Sequence, residues 1–180
     1  MISEITSFSQ VVLAEKSILI FDIDETVLKY DQINQSWWNT KIKHFYEIYE
    51  DQHVANQKAH DLWITHVDIT LPEYTDKNGF FDLVNKAHKI NIPIIFITAR
   101  PQYLDELTIR HLNHLNINVG DVYYTNRSNK GIAMENIIEI NYPNINEIIF
   151  IEDSQHNIHD VINHMSGKNR TIHCYKYSMS

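Results

Sequence analysis

Ile18-Leu19-Ile20-Phe21-Asp22-Ile23-Asp24-Glu25-Thr26-Val27-Leu28 joins an apolar run to a cluster of acids. The run Ile18–Phe21 is too short for a helix and apolar throughout. That pattern fits a strand buried on both faces, as in a parallel sheet covered by helices. Similar runs recur at Ile92–Ile97 and Ile148–Ile151, with weaker strand candidates at Val119–Tyr124 and Thr171–Tyr175. Between them, Phe80–Lys89, Gln102–Leu115, Ile132–Ile140 and Ile158–Met165 carry apolar residues at helical spacing. Strand alternating with helix predicts an α/β fold: a doubly wound, three-layer αβα sandwich on a mainly parallel sheet with right-handed crossovers.

One interval is too long. A strand–helix–strand unit takes roughly 30 residues, and the stretch from Phe21 to Ile92 takes about twice that. The surplus holds Trp37, Trp38, Phe45, Tyr46, Tyr49 and Trp63, at helical spacing from Trp38 to about Ile64. A small helical hairpin is expected over 32–71, inserted into a core made of 1–31 and 72–180.

Strong polar candidates follow the apolar runs, at the strand ends where open α/β sheets bind ligands. Asp22 and Asp24 lie two apart and in extended backbone point to one side. Carboxylates so placed repel unless a cation sits between them, and a hard divalent ion such as magnesium takes oxygen ligands. After Ile92–Ile97 comes Thr98, with a hydroxyl, followed by Ala99 and Arg100, whose amides suit phosphate oxygens. After Ile148–Ile151 comes a second acidic pair, Glu152-Asp153. Lys130 opens a predicted helix, where its ammonium lies close to an anion at the helix N-terminus. Acid pair, hydroxyl, lysine and acid pair together describe a phosphoryl-transfer site.

The sequence resembles the haloacid dehalogenase (HAD) superfamily, whose first motif, DxDx[TV], Asp22-Ile23-Asp24-Glu25-Thr26 matches. Thr98, Lys130 and Glu152-Asp153 fall in order as the second, third and fourth motifs. Within the superfamily the chain is similar to the acid-phosphatase-like subfamily III and to the DUF2608 family. That likeness rests on Glu4–Val12, Gln35–Trp38, Phe96–Pro101, Asn129–Gly131 and Phe150–Asn157. The resemblance implies a HAD-like Rossmannoid fold with a small C1-type cap, and a Mg2+-dependent phosphatase. By it, Asp22 is the nucleophile and Asp24 the general acid and base. Thr98 and Lys130 complete the catalytic set, and Thr26, Thr98, Ala99, Arg100 and Lys130 bind substrate. Magnesium is held by Asp22, the backbone carbonyl of Asp24, and Asp153; Glu152 differs from the commonest acid at its position, so its part in the metal shell stays open.

Plainer readings compete. Thr98 suits any strand, a surface lysine is the usual lysine, and Arg127 and Lys168 rival Lys130. Glu152-Asp153 also reads as helix-capping acids, and Arg100 as a loop salt bridge. Asn157 is a candidate for holding the acidic loop. The 11 histidines, His111 with His114 and His156 with His159 among them, read as solvated helix faces in the absence of a metal pattern. Trp37, Trp38 and Trp63 are either core residues or substrate contacts.

A formal charge of -8 without a basic tract argues against a nucleic-acid partner. No apolar run approaches the roughly 20 residues of a membrane span. Cys174 stands alone, so neither an internal disulfide nor a Cys-based zinc site is expected. No signal peptide is legible, and a cytoplasmic address is expected, although secretion without a cleaved signal leaves no such mark. The expected partner is a small phosphorylated substrate or a phosphoprotein. The alternative to an enzyme is a non-catalytic, phosphate-responsive binding or signalling protein on the same scaffold. A receiver-type signalling domain would place its phosphorylated aspartate on a later strand.

Overall fold

The computed structural model describes residues 2–179. In chain order the elements are β1 (Ile2–Ile5), β2 (Ser17–Phe21), β3 (Leu28–Lys29), α1 (Gln35–Tyr49), α2 (Gln52–Ile69), β4 (Glu73–Tyr74) and α3 (Lys77–Lys89). There follow β5 (Ile94–Thr98), α4 (Asp105–His114), β6 (Asp121–Tyr124), α5 (Lys130–Asn141), β7 (Glu147–Glu152), α6 (Gln155–Met165) and β8 (Thr171–Tyr177). Six strands form one sheet in the order β1-β8-β7-β2-β5-β6, and each neighbouring pair in it is parallel. β3 and β4 make a separate antiparallel pair.

The two-residue period of a strand explains the layers. Leu19 and Phe21 of β2 pack with Phe80, Leu83 and Val84 of α3 and Leu107 and Leu112 of α4. Ile18 and Ile20 face the other way, onto Met134 and Ile138 of α5 and Ile158 and Val161 of α6. All five residues of β2 are buried. Each large apolar side chain withdrawn from water contributes about 1.5–3 kcal/mol, which makes this central strand the anchor of the sheet.

The strand expected from Ile92 begins at Ile94 instead. Pro93 has no N–H to give to a ladder, and its carbonyl accepts from the Leu19 amide at 2.9 Å. β1 was not foreseen, since only Ile5 of its four residues is buried. It joins the sheet edge beside β8, with Ile2 opposite Cys174. The segment after it is fastened by Asp76, the N-cap of α3, whose carboxylate accepts from the Ser7 hydroxyl (2.7 Å) and the Phe8 amide (3.0 Å). Phe8 then stacks on Tyr177, ring centres 4.8 Å apart.

The surplus chain forms α1 and α2, which pack against each other. The joint is tight: Glu50 takes a left-handed conformation (φ 52°), and Asp51 caps α2 by accepting from the amides of His53 and Val54. Among the described residues no helix is long and apolar enough to cross a membrane.

Candidate active site

Sheet register gathers the site. Phe21 lies opposite Phe96 on β5 and Ile151 on β7, so the ends of three adjoining strands carry Asp22, Thr98 and Glu152 to one edge. The Asp22 amide donates to the Ile151 carbonyl at 2.9 Å, which holds the acid in place as the chain leaves β2.

Lys130 reaches this edge from the first position of α5. Asn129 caps that helix by accepting from the Ile132 amide. At Gly131 a Cβ would come within 2.7 Å of the Asp160 carbonyl oxygen and of the His164 side chain on α6, so glycine is what lets α5 lie close enough. The Lys130 ammonium, 2% exposed, bonds to Asp22 and lies 2.6 Å from Glu152 Oε2. The rival cations lie elsewhere. Lys168 pairs with Glu135, and Arg127 is exposed at the rim of a neighbouring cavity.

Oxygens of Asp22, Glu152 and Asp153 come within 4.8 Å of one another. One lysine cannot neutralise three buried acids. Burial first, and then the neighbouring carboxylates, push Asp22 and Glu152 up to about 7 and Asp153 up to about 6. Burial works against the Lys130 charge, yet the two carboxylates beside it hold its pKa above the usual lysine range. A hard divalent cation answers this excess of anionic oxygen, and the donor set fits one.

These acids give a first expected outcome. Protons and metal compete for the same oxygens. At pH 8 a cation at about 100 times its dissociation constant adds roughly 2.7 kcal/mol, or about 5–10 °C in Tm for a chain of this size. At pH 5 the acids hold their protons and the shift nearly vanishes. Thermal melts with and without magnesium at the two pH values check this; equal shifts at both would place the cation elsewhere.

Thr26, expected against substrate, is directed into the protein, and Arg100, expected there too, is buried but lines the cavity beside the acids. The fully buried Thr26 hydroxyl lies 3.2 Å from Asp22 and 3.3 Å from Asp153, and it accepts from the Asp153 amide at 3.0 Å. It ties the loop after β2 to the loop after β7. Arg100, 2% exposed, grips Asp24 with both ends, Nε to Oδ2 at 2.8 Å and Nη2 to Oδ1 at 2.6 Å. It also bonds to the Tyr30 hydroxyl (2.8 Å) and the Thr108 hydroxyl (3.1 Å), and its Nη1 lies 3.4 Å from His111 Nδ1.

Asp22 and Asp24 therefore do not share one cation through their side chains, as extended backbone would have it. β2 ends at Phe21, and a turn follows in which Val27 and Leu28 both donate to the Ile23 carbonyl and Glu25 is left-handed (φ 60°). Asp22 turns to Lys130 and Asp24 to Arg100. Thr98, fully buried, accepts from the Arg100 amide at 3.2 Å, which leaves its proton to donate. Ala99 is exposed beside it. Glu152 has both oxygens engaged, one by Lys130 and one by the Ser154 amide at 3.0 Å. The Asn157 amide donates to Ser154 Oγ at 3.4 Å as part of the α6 cap.

His111 corrects the view of histidines as solvated. It is fully buried, with Nδ1 2.7 Å from the Tyr30 hydroxyl. That hydroxyl accepts from Arg100, so its own proton goes to His111 Nδ1 and the ring proton sits on Nε2. Burial, then the Arg100 charge, lower His111 to about 4. The signal for this network was faint: a tyrosine just after the acidic motif and a threonine and histidine one helical turn apart on α4. His60 is buried too, while His156 is exposed. Among the described residues no histidine joins a metal-ligating cluster.

Beside the acids, α1 and α2 roof a cavity of about 200 Å3, with Asp24, Arg100, Trp38 and Trp63 among its walls.

The family described as "Protein of unknown function (DUF2608)" matches residues 2–125, a segment that holds Asp22, Asp24 and Thr98 and ends before Lys130. Comparison with curated proteins finds no match. Among solved structures, the chain is similar to a HAD hydrolase, family IA, variant 3, from Entamoeba histolytica, with a TM-score of 0.57 and 14% identity over 87% of this chain and 92% of that one. A putative beta-phosphoglucomutase from Thermotoga maritima aligns with a TM-score of 0.52 and 11% identity over 89% and 94%. A chain of the Pnkp1/Rnl/Hen1 complex aligns with a TM-score of 0.52 and 10% identity over 92% of this chain and 48% of that one, so the chain spans about half of that relative's length. At such identities the likeness establishes the fold, an α/β HAD-like architecture.

Proposed function

The chain belongs to the DUF2608 family, and from that membership and its HAD-like fold we propose that it is a metal-dependent phosphomonoesterase acting through Asp22. The observation that carries this reading is the convergence of Asp22, Lys130, Glu152, Asp153 and Thr26 on one edge of the parallel sheet.

In this reading Asp22 attacks phosphorus and forms an aspartyl phosphate as the bond to the leaving oxygen breaks. Asp24 delivers a proton to that oxygen, then takes one from the water that attacks the phosphoenzyme, releasing phosphate and restoring Asp22. Bidentate pairing with Arg100 uses one lone pair on each Asp24 oxygen and leaves the other for the proton. Lys130 and the Thr98 hydroxyl meet the phosphoryl oxygens, and Glu152 steadies Lys130. Asp22, Asp153 and the Asp24 carbonyl would hold magnesium, which when bound offsets phosphoryl charge and brings substrate oxygen to the site.

The test is magnesium-dependent release of phosphate from a panel of phosphomonoesters by the purified protein. Asp24→Asn is expected to cost about 10²–10⁴-fold in kcat. The loss should be greatest for alkyl esters, whose leaving oxygens need a proton, and smallest for nitrophenyl esters. A uniform loss across leaving groups would remove Asp24 as the proton donor. Binding of magnesium and beryllium fluoride without turnover on any ester would leave a phosphate-responsive binding protein in place of the enzyme.

A further inference from the structure

We propose that the cavity beneath α1 and α2 is a leaving-group subsite, and that the ester it selects is the phosphate of a monocyclic aromatic alcohol. The inference rests on the phosphomonoesterase reading and names the substrate class for that site.

Position comes first. Asp24 lines the cavity and stands two residues from Asp22, so a group attached to the oxygen that Asp24 protonates extends into this space. The walls then limit what fits. Trp63 lies against His60, ring centres 5.5 Å apart and planes 27° apart, and against Trp38 at 6.1 Å and 32°. All three rings line the cavity, with Tyr30 and Ile33 beside them. Flat, apolar walls favour a flat guest, since offset and edge-on ring contacts add to simple burial. A cavity of about 150 Å3 in another protein holds one benzene. The present space of about 200 Å3 thus takes one ring with a small substituent.

Trp63 belongs to the apolar core, and Trp37 and Trp38 pack against that core. Yet α1 buries none of its residues, and Trp38 is only half-buried, so core packing leaves part of its ring uncovered. The rim of the same space is held in place. Asn126 and Arg127 are consecutive left-handed residues (φ 53° and 64°). The Arg127 amide is pinned to the Ala99 carbonyl at 2.9 Å, which holds Arg127 at the cavity wall. Bulky residues kept in that conformation cluster at ligand clamps.

The experiment compares benzyl phosphate with cyclohexylmethyl phosphate, which match in linkage and ring size and differ in flatness. With magnesium, the wild-type kcat/KM should favour the benzyl ester by about tenfold. Trp63→Ala and, separately, Trp38→Leu should bring that ratio close to one, and because the ratio is internal to each protein it does not depend on the active fraction. Equal rates on the two esters in the wild type would overturn the inference and leave the phosphatase reading standing. Hydrolysis of neither ester, nor of any other in the panel, would sink the phosphatase reading instead. The subsite is then judged by tryptophan fluorescence on titration with benzylphosphonate. Saturable quenching, weaker with cyclohexylmethylphosphonate, supports an aromatic subsite; identical or absent quenching rejects it.

Discussion

Asp22→Asn is expected to abolish turnover, by about 10⁴-fold or more, and to leave a protein that melts no lower than the wild type at pH 8. In the proposed mechanism the loss follows from removing the nucleophile, where single knockouts cost on the order of 10⁶-fold in a well-studied hydrolase. The retained stability follows from crowding. Asp22, Glu152 and Asp153 face a single ammonium, and their pKa values are raised in the folded chain by burial and mutual repulsion. A raised folded pKa means that the native state keeps protons which the unfolded chain has released. Stability from these groups is therefore full below about pH 4 and is lost as pH climbs toward 7. The amide removes one charge and keeps an acceptor for Thr26. Its gain in Tm without metal should be larger at pH 8 than at pH 5, as measured by thermal melts. A variant that unfolds at pH 8 would contradict this account of the acid cluster.

Arg100→Ala is expected to have the second large effect, on stability as well as on rate. The guanidinium is 2% exposed and bonded to Asp24, Tyr30 and Thr108. Removing one partner from a buried, hydrogen-bonded pair costs about 3–5 kcal/mol, mainly because the groups left behind are unpaired. Arg100→Lys should recover little, since an ammonium cannot make the two parallel bonds to Asp24. Loss of Arg100 also frees Asp24 from its set orientation, so kcat should fall on alkyl esters more than on nitrophenyl esters, as for Asp24→Asn. Denaturant unfolding and the same ester panel check both parts. An Arg100→Lys protein equal to the wild type in stability would refute the bidentate role.

The parallel sheet was legible because its central strands are buried on both faces and so read as unbroken apolar runs: Ile18–Phe21, Ile94–Ile97 and Ile148–Ile151. β1 was not, because an edge strand that buries one residue in four has no such run. The acids were legible as a site from their positions after those runs. Their division of labour was not. It depends on where β2 stops, on the left-handed Glu25, and on Arg100, which reaches back across 76 residues to Asp24 and 70 to Tyr30. Nothing local in the sequence announces such pairings. Thr26 shows the same limit: its place in the acidic motif was plain, but its bond to the Asp153 amide spans 127 residues.

The central claim is that Asp22 carries the phosphoryl group. Turnover with magnesium and a phosphomonoester, stopped in acid and treated with borohydride, reduces an aspartyl phosphate to homoserine, which peptide mass mapping then locates. The account expects that conversion at position 22, dependent on magnesium and absent from Asp22→Asn. Turnover that persists in Asp22→Asn, or a phosphoenzyme mapped to another residue, would contradict it.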